Sequence, residues 1–122
     1  MKYFKLSEFD SPDQKGSGSK MNGAFLDKLD NARNIAGVPF KITSGFRTQE
    51  HHEAIYQKLG KKPTRSAHLT GHAADIATGD SVQKYKIIAA LIKAGFNRLG
   101  IAENFIHVDD SPDHTPNCIW TY

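Results

Sequence analysis

The sequence predicts an α+β fold, with helices packed on one side of a mainly antiparallel sheet. Two patterns carry this. Apolar residues at near-helical spacing alternate with short runs of period two, and the two kinds of element do not follow a regular βαβ order. The length, 122 residues, suits one domain spanning residues 1–122.

Taken in order, Ser11 to Lys20 (SPDQKGSGSK) is rich in turn formers and reads as a loop. Leu26, Leu29 and Ile35, widened by Phe25 and Ala32, predict a helix from about Met21 to Ala36, stopped by Gly37 and Pro39. Phe40 to Ser44 alternates apolar with polar residues and reads as a strand ended by Gly45. Thr48 is an N-cap for a helix to about Leu59, with Gly60 beyond it. Lys61 to Thr70 lacks periodicity and reads as a loop, and Ala73 to Ala77 as a short strand. Asp80 or Ser81 caps a third helix, with Gln83 placed for a capping box and Gly95 at its end. Its expected inward stripe is Val82, Tyr85, Ile88, Ala89 and Ile92. Strands follow at Arg98 to Ile101, Phe105 to Asp109 and Ile119 to Tyr122.

Composition narrows the function. A single cysteine, Cys118, excludes a disulfide framework and a Cys-rich zinc module. No run approaches the ~20 apolar residues that span a bilayer, so no membrane association is expected. Met1 to Asp10 lacks the apolar region of a secretory signal, which predicts synthesis in the cytoplasm. The net charge of +3 is scattered, and without a stacking platform or motif it does not predict a nucleic-acid partner.

The chemistry concentrates in Ser66-Ala67-His68-Leu69-Thr70-Gly71-His72-Ala73-Ala74-Asp75 and in Phe105-Ile106-His107-Val108-Asp109. Two imidazoles and a carboxylate from separate segments suit a three-ligand zinc site whose fourth position stays open for water. On strands, His107 and Asp109 share a face, and so do Ala73, Asp75 and Ala77. Gly71 permits the bend that brings His68 over Asp75. Ser66 is placed to bond a loop amide or a ligand's outer atoms.

Ser66-x-His68-x-x-Gly71-x-Ala73-x-Asp75 with His107-x-Asp109 resembles the signature of zinc D-alanyl-D-alanine carboxypeptidases and endopeptidases of the hedgehog/DD-peptidase fold, phage lysins among them. Ser44-Gly45-Phe46-Arg47-Thr48 resembles their Ser-Gly-Tyr-Arg-Ser element, and the likeness runs from about Leu6 to the C-terminal Tyr122. The resemblance implies Zn2+ on His68, Asp75 and His107, and a peptidoglycan stem peptide as substrate. It implies that Arg47 contacts a substrate carboxylate or polarises the scissile carbonyl, with Gln49 and Ser66 assisting. The expected protein is a monomer that reaches the cell wall after lysis or by assisted export.

The general base departs from the pattern. Many relatives carry an acid three residues before the last histidine, where this chain has Asn104. Glu103, placed on the His107 face if the strand continues, and Asp109 are the two candidates. A zinc-containing binding module with weak or no turnover is the alternative reading. The remaining polar residues read more simply. His72 faces away from Asp75, and His51 and His52 are expected on a solvated surface. His114 is expected to be exposed, Cys118 to pack, and Trp120 and Tyr122 to close the core.

Overall fold

The computed structural model describes residues 1–122. The elements in chain order are α1 (Gly23–Ala36), β1 (Lys41–Ser44), α2 (Gln49–Leu59), β2 (Ala73–Ala77), α3 (Ser81–Lys93), β3 (Arg98–Ile101), β4 (Phe105–Asp109) and β5 (Cys118–Thr121). The five strands form one sheet in the order β1-β2-β4-β3-β5. All pairings are antiparallel except the parallel edge between β3 and β5. The α+β class is therefore as the sequence predicts. No helix is long and apolar enough to cross a membrane.

The helix ends follow the side chains. Asn22, Thr48 and Asp80 each accept a backbone N–H of the first turn of α1, α2 and α3, which satisfies one of the donors that a helix start leaves free. Gly37 and Gly60 close α1 and α2 in the left-handed conformation.

One face of the sheet is the core. Ala74, Ile76, Leu99, Ile106 and Val108 point towards α1 and α3, where they meet Phe25, Leu26, Leu29, Ile87 and Leu91. Phe25 and Phe96 pack edge to face, with ring centroids 5.6 Å apart. Period two puts the alternate residues of the same strands on the opposite face. That face carries Asp75, His107, Asp109 and Arg98.

Several expectations change in three dimensions. The inward stripe of α3 is Ile87, Ala90 and Leu91, while Val82, Tyr85 and Ile92 are exposed. This helix has apolar residues on more than one side, and the packing against α1 decides which side is buried. Ile35 is likewise exposed at the end of α1. Both expected loops contain 3₁₀ turns, at Ser17–Lys20 and Ala67–Thr70, and another lies at Leu6–Phe9. Such short turns have no apolar period to announce them.

Candidate metal centre and cleft

The register of the sheet builds the site. Ser44 pairs with Asp75, Asp75 with His107, His107 with Gly100, and Gly100 with Trp120. These five residues form one row across all five strands. The next row sets Ala73 against Asp109. In the same antiparallel hairpin Arg98 lies beside Asp109, its Nε donating to Oδ1 at 2.6 Å.

His68 arrives from outside the sheet, in the 3₁₀ turn Ala67–Thr70. Ser66 caps this turn by accepting the His68 N–H at 3.2 Å. Gly71 ends it at φ +75°, and a Cβ there would lie 2.6 Å from the Lys20 carbonyl oxygen, so glycine is required both by conformation and by space. The chain entering α2 grips the turn. The Arg47 N–H donates to the His68 carbonyl at 3.1 Å.

Three ligand atoms converge. The Oδ1 of Asp75 lies 2.9 Å from His107 Nδ1 and 3.4 Å from His68 Nε2. His68, Asp75 and His107 each offer one ligand atom, all within 4.8 Å of one another. Tetrahedral zinc with bonds near ~2.1 Å would separate its ligand atoms by about 3.4 Å, so the spacing suits such an ion.

The outer ring nitrogens decide the tautomers. His68 Nδ1–H donates to the Gly45 carbonyl at 2.8 Å. His107 Nε2–H donates to Asp109 Oδ2 at 2.7 Å. Each neutral imidazole therefore turns a lone pair towards Asp75. Three electron-pair donors facing one another need a proton or a cation between them, and the donor set fits a divalent metal.

The electrostatics agree. Burial alone would raise the Asp75 carboxyl, but with a proton rather than a metal in the gap the His107 and His68 rings outweigh it and hold Asp75 well below the carboxylate range. Burial would lower His107, yet Asp109 and Asp75 raise it. Asp109, pushed up by burial, is brought below its ordinary value by His107 and Arg98. Burial lowers Arg47, which Asp75 partly opposes.

Beside the triad lies a cleft of about 260 Å³, lined by Tyr56, Arg65, Ser66, His107, His114 and Tyr122 among others. Trp120 stands over His107 with ring centroids 5.6 Å apart, and Arg98 stacks on Trp120 at 5.0 Å. A larger groove of about 440 Å³ between α3 and β5 is lined by apolar residues such as Ile92, Leu99 and Ile119 and carries no ligating cluster.

The structure thus brings His68, Asp75, His107, Asp109 and Ser66 together. Arg47 lies close enough to feel Asp75. Gln49 is exposed and donates along α2 to Glu53 at 3.2 Å. Glu103 sits exposed in the turn between β3 and β4, so the strand does not continue through it to the His107 face. His72 stays outside the cluster and meets Thr70 Oγ1 at 3.0 Å. Trp120 and Tyr122 wall the cleft and do not close the core, and Tyr122 is 71% exposed. His114 is half-buried with its Nδ1 shielded and unpartnered. His52 is completely buried, against the expectation of a solvated position. The role of Arg98 was legible in principle, since a β3–β4 hairpin centred on Glu103 and Asn104 sets it opposite Asp109.

The fold, the convergent donor cluster and the cleft agree with the sequence comparison. The Peptidase M15 family model matches residues 2–109. The chain belongs to that family. No curated protein matches it. Among solved structures it is similar to the L-Ala D-Glu endopeptidase ChiX of Serratia marcescens, at 22% identity and a TM-score of 0.54. That match covers 62% of this chain and 62% of ChiX, so the chain spans under two thirds of that relative's length. The likeness is one of fold.

Proposed function

We propose that this chain is a zinc-dependent peptidase that hydrolyses a peptide bond in bacterial peptidoglycan, as a D-Ala-D-Ala carboxypeptidase or a cell-wall endopeptidase. One observation carries the reading: the lone pairs of His68 Nε2, Asp75 Oδ1 and His107 Nδ1 converge beside an open cleft in a chain of the Peptidase M15 family. The cell-wall substrate is supported by the structural likeness to ChiX, which is an L-Ala D-Glu endopeptidase.

His68, Asp75 and His107 would hold the zinc, which when bound would supply Lewis-acid activation of water at neutral pH. Asp109 orients His107 by accepting its Nε2 proton. Arg47 gives Nη1 to His52 and leaves the other terminal nitrogen of the guanidinium without a protein partner, and a substrate carbonyl or carboxylate would take that donor. Ser66 acts indirectly, through the turn that carries His68. Glu103 or Asp109 would accept the proton of the attacking water. Glu103 is free but lies outside the cleft lining, whereas Asp109 lines the cleft with both oxygens already engaged.

That last fact also supports a second reading, a zinc-containing binding module of the same fold with weak or no turnover. Digestion of purified peptidoglycan by zinc-loaded and chelated protein, with mass analysis of the products, decides between the two. Zinc-dependent release of peptides supports the peptidase, and the masses identify the bond. Stoichiometric zinc with no product supports the binding module. Glu103→Gln and Asp109→Asn, with zinc content measured beside turnover, then locate the base.

A further inference from the structure

His52 has no place in the metal cluster or in the apolar core, yet it is the one fully buried residue of α2. Both ring nitrogens are committed. Nε2–H donates to the Thr64 carbonyl at 2.6 Å. A carbonyl can only accept, so this bond fixes the tautomer and leaves Nδ1 with its lone pair. That lone pair accepts from Arg47 Nη1 at 3.1 Å. Tyr56, one turn further along α2, packs on the imidazole with ring centroids 4.8 Å apart. The Tyr56 hydroxyl bonds Thr64 Oγ1 at 2.6 Å. Two side chains of α2 therefore hold a single residue of the segment that leads to Ser66 and His68, and one of them passes the constraint on to Arg47.

A guanidinium on a long side chain searches many rotamers unless something holds it. His52 occupies Nη1, while Nε remains buried and unpartnered. We propose that His52 is a positioning residue for Arg47: its Nδ1 anchors one arm of the guanidinium and so aims the free donors at the bound peptide. This rests on the reading of Arg47 as a substrate contact. Holding the donor group before substrate arrives removes an ordering cost from binding and from the transition state.

The test compares two replacements that keep different halves of the imidazole. In His52→Asn the side-chain oxygen can stand where Nδ1 stood and still accept from Arg47. In His52→Gln the amide nitrogen can stand where Nε2–H stood and still donate to Thr64, while the acceptor for Arg47 is lost. With zinc content unchanged, His52→Gln is expected to lose about tenfold to a hundredfold in kcat/KM on a peptidoglycan stem peptide. His52→Asn should keep most of it. His52→Gln should cost nothing further in an Arg47→Ala background. Equal losses in both variants, or a full additional loss in that background, would overturn the proposal.

A second readout needs no turnover. Nitrogen-15 NMR of the wild-type protein should show His52 protonated on Nε2 and bare on Nδ1. It should also show an Arg47 Nε–H signal that changes in His52→Gln and persists in His52→Asn. The opposite tautomer, or an Arg47 signal indifferent to both replacements, refutes the contact. A wild-type protein with no turnover but with these spectra would refute the peptidase reading and leave the His52–Arg47 link standing.

Discussion

Asp109 Oδ2 accepts the His107 Nε2 proton at 2.7 Å while Arg98 holds the other oxygen of the same carboxylate at 2.6 Å. The carboxylate is 2% exposed, so neither bond is diluted by water. Asp109→Asn keeps the shape but removes the charge, and its amide can present an N–H where His107 needs an acceptor. Partners of this kind are worth about tenfold to a hundredfold in metal affinity. We expect a loss of that size in zinc affinity, measured by competition with a chromophoric chelator. Unaltered zinc affinity with turnover abolished would mean that Asp109 is the base and not an orienting group.

Gly100 separates His107 from Trp120 in the row that crosses the sheet. A Cβ there would lie 2.7 Å from Trp120 Nε1 and 2.9 Å from the Tyr122 hydroxyl oxygen. Gly100→Ala must push the aromatic pair outward, and overpacking of this kind costs about 1–3 kcal/mol. We expect a lower thermal midpoint and a raised KM, because the same two rings wall the cleft. A variant with the wild-type midpoint and KM would show that the aromatic wall yields freely and does not shape the cleft.

These two residues also show what the sequence could tell. The meeting of His68, Asp75 and His107 was legible because a short motif joins the first two, and strand period two sets His107 and Asp109 on one face. The sheet order was not, since β5 returns to pair in parallel beside β3, and nothing local encodes a pairing between Gly100 and Trp120. That return takes Trp120 and Tyr122 from an expected place in the core to the cleft. The outward face of α3 was misread for a related reason. Val82 and Tyr85 fit a helical stripe as well as Ile87 and Leu91 do, and only contact with α1 selects between them. His52 was missed because its partners, the Arg47 guanidinium and the Thr64 carbonyl, come from outside its helix.

The N-terminal segment should make the fold acid-sensitive. Asp10 accepts the Gly16 and Gly18 amides, and Asp13 accepts the Ser11 and Thr48 hydroxyls at 2.5 and 2.6 Å. These bonds hold both carboxyls below their ordinary value. A depressed folded value gives stability that is present above the unfolded carboxyl value, about 3.9, and is lost as pH falls towards the folded values. Urea unfolding midpoints between pH 6 and pH 3 should therefore fall on acidification. Asp13→Asn should flatten that fall, and an equally steep acid limb in the variant would remove Asp13 from the account.

Metal binding should appear as folding stability, because His68, Asp75 and His107 come from segments that meet only in the folded chain. An ion bound by the native state alone, at a thousand times its dissociation constant, adds about 4 kcal/mol. Zinc should therefore raise the thermal midpoint of the chelated protein by many degrees, and a strong chelator should reverse the shift. Asp75→Ala removes the ligand that lies between the two imidazoles. It also removes the carboxylate that holds a proton together with them when no metal is bound, so its metal-free midpoint is expected to drop as well. The informative quantity is the difference between zinc-loaded and zinc-free midpoints, which should be large in wild type and close to zero in Asp75→Ala. An equal zinc-induced rise in both proteins would place the ion elsewhere.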